Sequence, residues 1–248
     1  MHLHIGKNNV LGRAFAHYAK NVHVISHSEL KNFEISEFTK ISISAFDPAL
    51  KETASLNGDK LLDILQQKIV SQPEIIYFST ARALQEDLPE RHRTYVQNKN
   101  LTVQNLRENF KEVSIVHLPN IIPISRQDKS VFIDTFLLNL KNYTVSFDCS
   151  ENSSWNFVDP VSVIRWVENT TRIPHEILVV NENPIHVSDF IKFAESTKGP
   201  QNLKISLGSM YISYPSKIAS EIPVLLLKNS DIIGDMNWLK KRMINNNV

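Results

Sequence analysis

Gly6 and Gly12 follow the first apolar segment of the chain, Ser79 and Thr80 close a later one, and Tyr95 and Lys99 stand four apart at the head of a helix. In that order they have the makings of a nucleotide-dependent redox site. Hydride transfer at a carbonyl needs a dinucleotide held by its pyrophosphate and an acid or base of tuned pKa beside the reacting oxygen. The glycine turn could supply the first and the hydroxyl and amine side chains the second.

The turn places Gly6, Asn9 and Gly12 at the three positions of a Gly-x-x-Gly-x-x-Gly pattern, with asparagine in the middle. Asparagine best tolerates the left-handed conformation after glycine, and a helix N-terminus behind the turn favours an anion. The alternative is a tight strand-to-helix turn and nothing more. Position argues for the nucleotide: the chain has only six glycines, and two fall where a dinucleotide turn requires them. Where a carboxylate would bind the ribose hydroxyls of NAD the sequence has Ser26, His27 and Ser28. With Arg13 and His27 close by, this favours NADP over NAD.

Tyr95 and Lys99 project from one helix face about one turn apart, so the ammonium can stabilise a phenolate and lower the tyrosine pKa. Such a pair alone carries little weight. Its conjunction with Ser79 and Thr80 at the carboxyl end of a strand, the edge where open α/β sheets bind ligands, carries more. A hydroxyl there can hold a substrate oxygen, although Thr80 taken singly also suits a helix cap.

The elements that must position these residues alternate. Strands are expected at Leu3 to Ile5, Val22 to Ser26, Ile41 to Ala45, Ile75 to Phe78 and Val113 to Leu118. Helices are expected at Val10 to Lys20, Leu61 to Ile69 and Thr94 to Lys111. Further helices are expected near Lys129 to Leu140, Pro160 to Thr170, Val187 to Ser196 and Ile232 to Met243, and strands near Thr144 to Phe147 and Glu176 to Val180. Beyond Gly199 the pattern weakens. Alternation of this kind predicts an α/β fold, a doubly wound, mostly parallel Rossmann-like sheet covered on both faces. The division expected is a dinucleotide-binding domain over 1–150 and a small substrate lobe over 151–248, with segments near 157–180 returning to the first domain.

A net charge of +1 offers no basic surface for nucleic acid, and Ile222 to Leu227 is too short to span a bilayer. The single Cys149 excludes an intramolecular disulfide and fits a reducing compartment, and the start of the chain shows no signal-peptide pattern, so a cytoplasmic location is expected. No metal site is expected, because His2 and His4 sit on a strand and no other pair has ligand-like spacing.

Tyr77 to Ala81, the pair Tyr95 and Lys99, the segment His117 to Ile121 and the segment Trp155 to Val163 together resemble the extended branch of the short-chain dehydrogenase/reductase superfamily. That branch holds nucleotide-sugar epimerases, dehydratases and 4-ketoreductases. The resemblance implies that Tyr95 is the acid or base, that Lys99 binds the nicotinamide ribose and depresses the Tyr95 pKa, and that Thr80 hydrogen-bonds the reacting oxygen. It implies that Gly6, Asn9 and Gly12 line the pyrophosphate and that Ser79 and Asn120 touch a nucleotide-sugar substrate. It also implies a homodimer built through Leu61 to Val70 and Tyr95 to Phe110. The chain departs from the pattern at Asn9, at His117 where arginine is usual, and in the short span between Thr80 and Tyr95. Ala81 and Arg82 stand where dehydratases carry an acidic pair, so ketoreduction is expected ahead of dehydration. Epimerisation and a non-catalytic binding or regulatory subunit are the alternatives.

Overall fold

The structure is a computed structural model that describes residues 1–44, 62–69, 72–85, 90–125, 128, 130–214, 222–228 and 236–245. The sequence-predicted residues at 45, 61, 70, 129 and 232–235 lie outside that set. Seven parallel strands form the main sheet: β1 (His2–Ile5), β2 (Val22–Ile25), β3 (Lys40–Ile43), β4 (Glu74–Thr80), β5 (Val113–Leu118), β10 (Glu176–Asn181) and β14 (Val224–Leu227). Their order is β14-β10-β5-β4-β3-β1-β2. The chain is therefore α/β and Rossmann-like. Strands β4 and β5 are buried almost throughout because helices cover both of their faces.

On one face α1 (Val10–Tyr18) and α6 (Pro160–Asn169) press Leu11, Phe15, Val163 and Val167 against Ile76, Phe78, Val116 and Leu118. On the other, residues 62–68 (α3) and α4 (Glu90–Asn109) bring Leu65 and Leu106 to Ile75, Tyr77 and Ile115. Successive strands run outward from β1 in both directions, to β2 on one side and β3 on the other. The crevice between β1 and β3 is thus the topological switch point, where such sheets open to ligands. Among the described residues β2 is the edge strand, one fewer on that side than the six-stranded order places there.

The remaining elements build a lobe at the carboxyl end of the sheet. Helices α5 (Val131–Lys141), α7 (Val187–Lys198) and α8 (Asn237–Asn245) surround an aromatic cluster of Phe132, Phe136, Phe147, Trp155, Phe157 and Phe190. Three small sheets complete the lobe: β7 (Thr144–Cys149) with β12 (Lys204–Met210); β8 (Ser154–Trp155) between β11 (Ile185–His186) and β13 (Ser213–Tyr214); and β6 (Asn120–Ile121) with β9 (Phe157–Val158). Strand β12 lies where the sequence pattern fades, and the cause is visible: Ile205, Leu207 and Met210 are all exposed, so burial does not alternate along it.

One ion pair ties α1 to the loop that leads into the lobe. Arg13 Nε donates to Asp128 Oδ1 at 2.6 Å and its Nη2 pairs with the same oxygen, while Asp128 Oδ2 accepts from the amides of Ile124 and Ser125 at 2.8 Å. Asp128 is fully buried. Removing Arg13 strands a carboxylate without its cation, so Arg13→Met is expected to destabilise the protein by about 3–5 kcal/mol in urea unfolding. A loss under about 1 kcal/mol would show that water replaces the guanidinium without penalty.

Candidate functional site

The glycine turn sits at the carboxyl end of β1. Gly6 adopts φ of 142°, and a Cβ there would lie 2.5 Å from Ser44 Oγ, just beyond β3. Glycine is required because L side chains rarely adopt that φ, and the Ser44 hydroxyl occupies the space besides. At Gly12 a Cβ would meet the Gly6 carbonyl oxygen at 1.9 Å, so this glycine lets α1 press directly onto the turn. Asn9 is the N-cap of α1: its Oδ1 accepts from the Gly12 amide at 2.8 Å, and its Nδ2 donates to the Ser44 carbonyl and, at 3.0 Å, to Ser44 Oγ. The asparagine side chain thereby spans the β1/β3 crevice.

The turn still fits a pyrophosphate. Among the described residues no acceptor meets the amides of Val10 and Leu11, the first two of α1, at the helix end where the dipole favours negative charge. The Asn9 side chain folds back onto the Gly12 amide and Ser44.

At the chemical end, β4 carries Ser79 and Thr80, and α4 carries Tyr95 and Lys99 one turn apart. By strand alternation Ser79 shares the α4 side with Tyr77, and Thr80 the α1 side with Phe78. The Ser79 hydroxyl is buried and has no hydrogen-bond partner among the described residues. Thr80 Oγ1 accepts from the Arg82 amide at 3.3 Å, capping a 3₁₀ turn at Ala81–Leu84, which leaves its own proton to donate. Lys99 is buried, donates from Nζ to the Phe78 carbonyl at 3.2 Å and lies over the Tyr77 ring at 4.7 Å. Burial pulls its pKa down to about 7. Tyr77 lies beneath it, its phenol held well above the ordinary range by burial and then by neighbouring Tyr95, which is half-buried.

His117 is in register with Ser79, and both ring nitrogens face acceptors: Nδ1 the Thr80 carbonyl at 3.2 Å, Nε2 Glu176 Oε1 at 2.8 Å. Arg107 completes the set on Glu176 Oε2 at 2.7 Å. Bonds from His117 first and Arg107 next hold the Glu176 carboxyl down to about 2. A carboxylate with a depressed folded-state pKa stabilises above its unfolded value, and that contribution is lost as pH falls. Wild type should therefore lose stability between about pH 4.5 and 2 through this group, and Glu176→Gln should flatten that part of the urea-midpoint profile. An unaltered profile would remove Glu176 from the acid transition.

The other sequence-predicted residues disperse. Arg13 is committed to Asp128. His27 opens the short helix α2 (His27–Leu30), where burial lowers its pKa. Asn120 donates to the Asn156 carbonyl at 3.3 Å, and Asn156 in turn exchanges bonds with the backbone of Asn181 at the end of β10. Sequence reasoning passed over Ser44, Glu29, Asn156 and Asn181. Glu29 closes a capping box with Ser26 and pairs with Lys7 at 3.6 Å, which puts a carboxylate just past β2 after all. Its signal was the Ser-x-x-Glu spacing. Ser44 could have been found as the polar residue ending strand three beside the turn.

No protein-family model matches the chain, and no curated protein matches it by sequence. Solved structures do match in fold. An NAD-dependent NDP-hexosamine 5,6-dehydratase of tunicamycin biosynthesis superposes with a TM-score of 0.62 at 13% identity, over 96% of this chain and 90% of that one. UDP-glucose 4-epimerase from Thermotoga maritima, solved with UDP-glucose, gives 0.62 at 10% identity, over 93% and 91%. A dTDP-4-dehydrorhamnose reductase from Clostridium acetobutylicum gives 0.61 at 14% identity over the whole of both chains. At these identities the likeness establishes the fold.

Proposed function

We propose that the protein is a nicotinamide-dependent oxidoreductase of the short-chain dehydrogenase/reductase type that acts on a nucleotide-activated sugar, with ketoreduction as its reaction. The observation that carries this reading is Tyr95 and Lys99, one turn apart on α4, beside the strand end that bears Ser79 and Thr80. The fold neighbours, whose names describe a dehydratase, an epimerase and a reductase of sugar nucleotides, support the substrate class.

In this reading the amides of Val10 and Leu11 hold the pyrophosphate, and the dinucleotide, when bound, supplies the hydride. Tyr95 gives its phenolic proton to the oxygen of the reduced carbonyl. The Lys99 ammonium stabilises the phenolate left behind. The Thr80 hydroxyl donates to the same oxygen, and Ser79 and Asn120 face substrate. Arg13 is held by Asp128, so a preference for NADP rests on His27 alone, and the Glu29 carboxylate beyond β2 weighs towards NAD. A second copy pairs through 62–68 and α4.

A non-catalytic binding subunit is the competing reading, favoured by the Asn9 side chain across the crevice. Titration of the protein with NADH and NADPH, followed by fluorescence and thermal shift, separates the two. Val10→Pro is the control: proline suits the first helical position and Asn9 is already extended at φ −99°, ψ 173°, so the variant deletes one amide and keeps the fold. Saturable binding weakened about tenfold by Val10→Pro is expected. No binding of either dinucleotide to wild type ends the oxidoreductase reading.

A further inference from the structure

We infer that His4 is a positioning residue for the nucleotide turn, holding the Asn9 amide through Ser44; the inference rests on the dinucleotide reading above. Beneath the turn, β1 and β3 bury a row of polar side chains where a parallel sheet normally buries aliphatic ones. His4 and Ser42 are in register, fully buried, and Ser44 follows at the strand end. His4 Nε2 meets Ser44 Oγ at 2.8 Å, His4 Nδ1 meets Ser42 Oγ at 2.7 Å, and Ser42 Oγ meets His2 Nε2 at 2.8 Å. Ser44 Oγ in turn lies 3.0 Å from Asn9 Nδ2. An unbroken line of hydrogen bonds runs from half-buried His2 up to the cap of α1.

Burial, and then neighbouring His2, keep His4 neutral. A neutral imidazole has one N–H, so the line has a direction. The direction that leaves Asn9 Oδ1 wholly to the Gly12 amide runs from Asn9 Nδ2 to Ser44 Oγ, from the Ser44 hydroxyl to His4 Nε2, from His4 Nδ1–H to Ser42 Oγ, and from the Ser42 hydroxyl to His2 Nε2. Ser44 Oγ, His4 and Ser42 Oγ then each donate once and accept once within the line. The ring is fixed independently, stacked on Phe15 of α1 at 4.0 Å with 20° between planes.

Packing alone does not call for histidine here. Phenylalanine could stack on Phe15 too, but it would leave the buried Ser42 and Ser44 hydroxyls without this partner, and burying polar atoms costs free energy unless each is satisfied. What histidine adds is an acceptor for the Ser44 hydroxyl, and among the described residues Ser44 is the only side chain that hydrogen-bonds Asn9. Without that acceptor the Ser44 hydroxyl is free to rotate, and the Asn9 side chain keeps only the Ser44 carbonyl and the Gly12 amide to hold it back from the amides of Val10 and Leu11. Asn9 serves in place of the middle glycine while it is tied back, and His4 fixes the third tie through Ser44.

The test is a double-mutant cycle on the full chain, with Kd for NADH and ADP-ribose measured by calorimetry in wild type, His4→Phe, Asn9→Ala and the double variant. His4→Phe should weaken both ligands by about tenfold, ADP-ribose equally because it lacks nicotinamide, and should have under about a twofold effect once Asn9 is alanine. An equal loss in both backgrounds, or no loss while wild type binds, overturns the inference. Hydrogen exchange at the Gly12 amide decides the matter without ligand. It should quicken by at least about tenfold in His4→Phe, and an unchanged rate overturns the positioning role. If wild type binds neither ligand, the dinucleotide reading falls, and the exchange rate alone decides whether His4 holds Asn9.

Discussion

Gly12→Ala is expected to cost about 3 kcal/mol or more and to abolish dinucleotide binding with it. The added methyl would sit 1.9 Å from the Gly6 carbonyl oxygen, 2.4 Å from its carbon and 2.8 Å from the Lys7 nitrogen. All three are backbone atoms, which no rotamer change can move aside. Relief requires α1 to draw away from β1, and that motion breaks the Asn9 cap at the Gly12 amide and opens the packing of Leu11 and Phe15 on Phe78. Overpacking a core by one methyl typically costs about 1–3 kcal/mol, and a clash with backbone belongs at the top of that range or above it. Urea unfolding of Gly12→Ala and Gly199→Ala makes the comparison. Gly199, at φ 80° with only flexible side-chain atoms beyond 3.3 Å, should lose about 1 kcal/mol. A Gly12→Ala variant within about 1 kcal/mol of wild type would mean that α1 floats on the sheet, and the cradle would lose its geometric basis.

The same turn shows why part of the molecule is readable from sequence and part is not. Strand-helix alternation is a local signal, and it located β1, α1, β2, β4 and β5 because each buries a continuous or periodic apolar set. Gly6 and Gly12 were legible as a turn. That they serve Ser44 and the Gly6 carbonyl was not, since these contacts join residues far apart in the chain. The helix expected from Thr94 begins at Glu90, ahead of any apolar residue, because its first turn is polar and carries no periodicity. Arg13 illustrates the opposite failure. Proximity in sequence to His27 suggested a phosphate ligand, but an arginine follows the carboxylate that the fold brings to it, and Asp128 lies 115 residues away.

The histidines make the point most sharply. Their spacing on β1 reads only as unsuited to a metal, and among the described residues no group of three or more metal-ligating side chains gathers. Yet alternating polar residues on a central parallel strand should have raised a question of their own, because such strands bury both faces. The facing polar set, Ser42 and Ser44, was in the sequence as well. Only the register of β1 with β3 shows that the two sets meet.

Tyr95→Phe should reduce the turnover of a keto-sugar nucleotide by about 10²- to 10⁴-fold while leaving the Kd for dinucleotide unchanged, because the change deletes the phenolic hydroxyl and keeps the ring. The pH dependence should identify its partner. Buried Lys99 titrates at about 7, and only its ammonium form stabilises the Tyr95 phenolate, so turnover should fall as pH rises through about 7. Stability should move the other way. The unfolded lysine keeps its proton up to 10.5, so between about 7 and 10.5 the unfolded state binds more protons and the folded state gains with rising pH. Lys99→Met should remove both slopes at once, lowering turnover at neutral pH and raising stability there, since it replaces a desolvated amine by an apolar chain of similar length. A reduction rate that rises through the same pH range, or a Tyr95→Phe enzyme within about threefold of wild type, would place the proton donor elsewhere on the carboxyl edge of β4, with the Ser79 hydroxyl, which has no partner among the described residues, first in line.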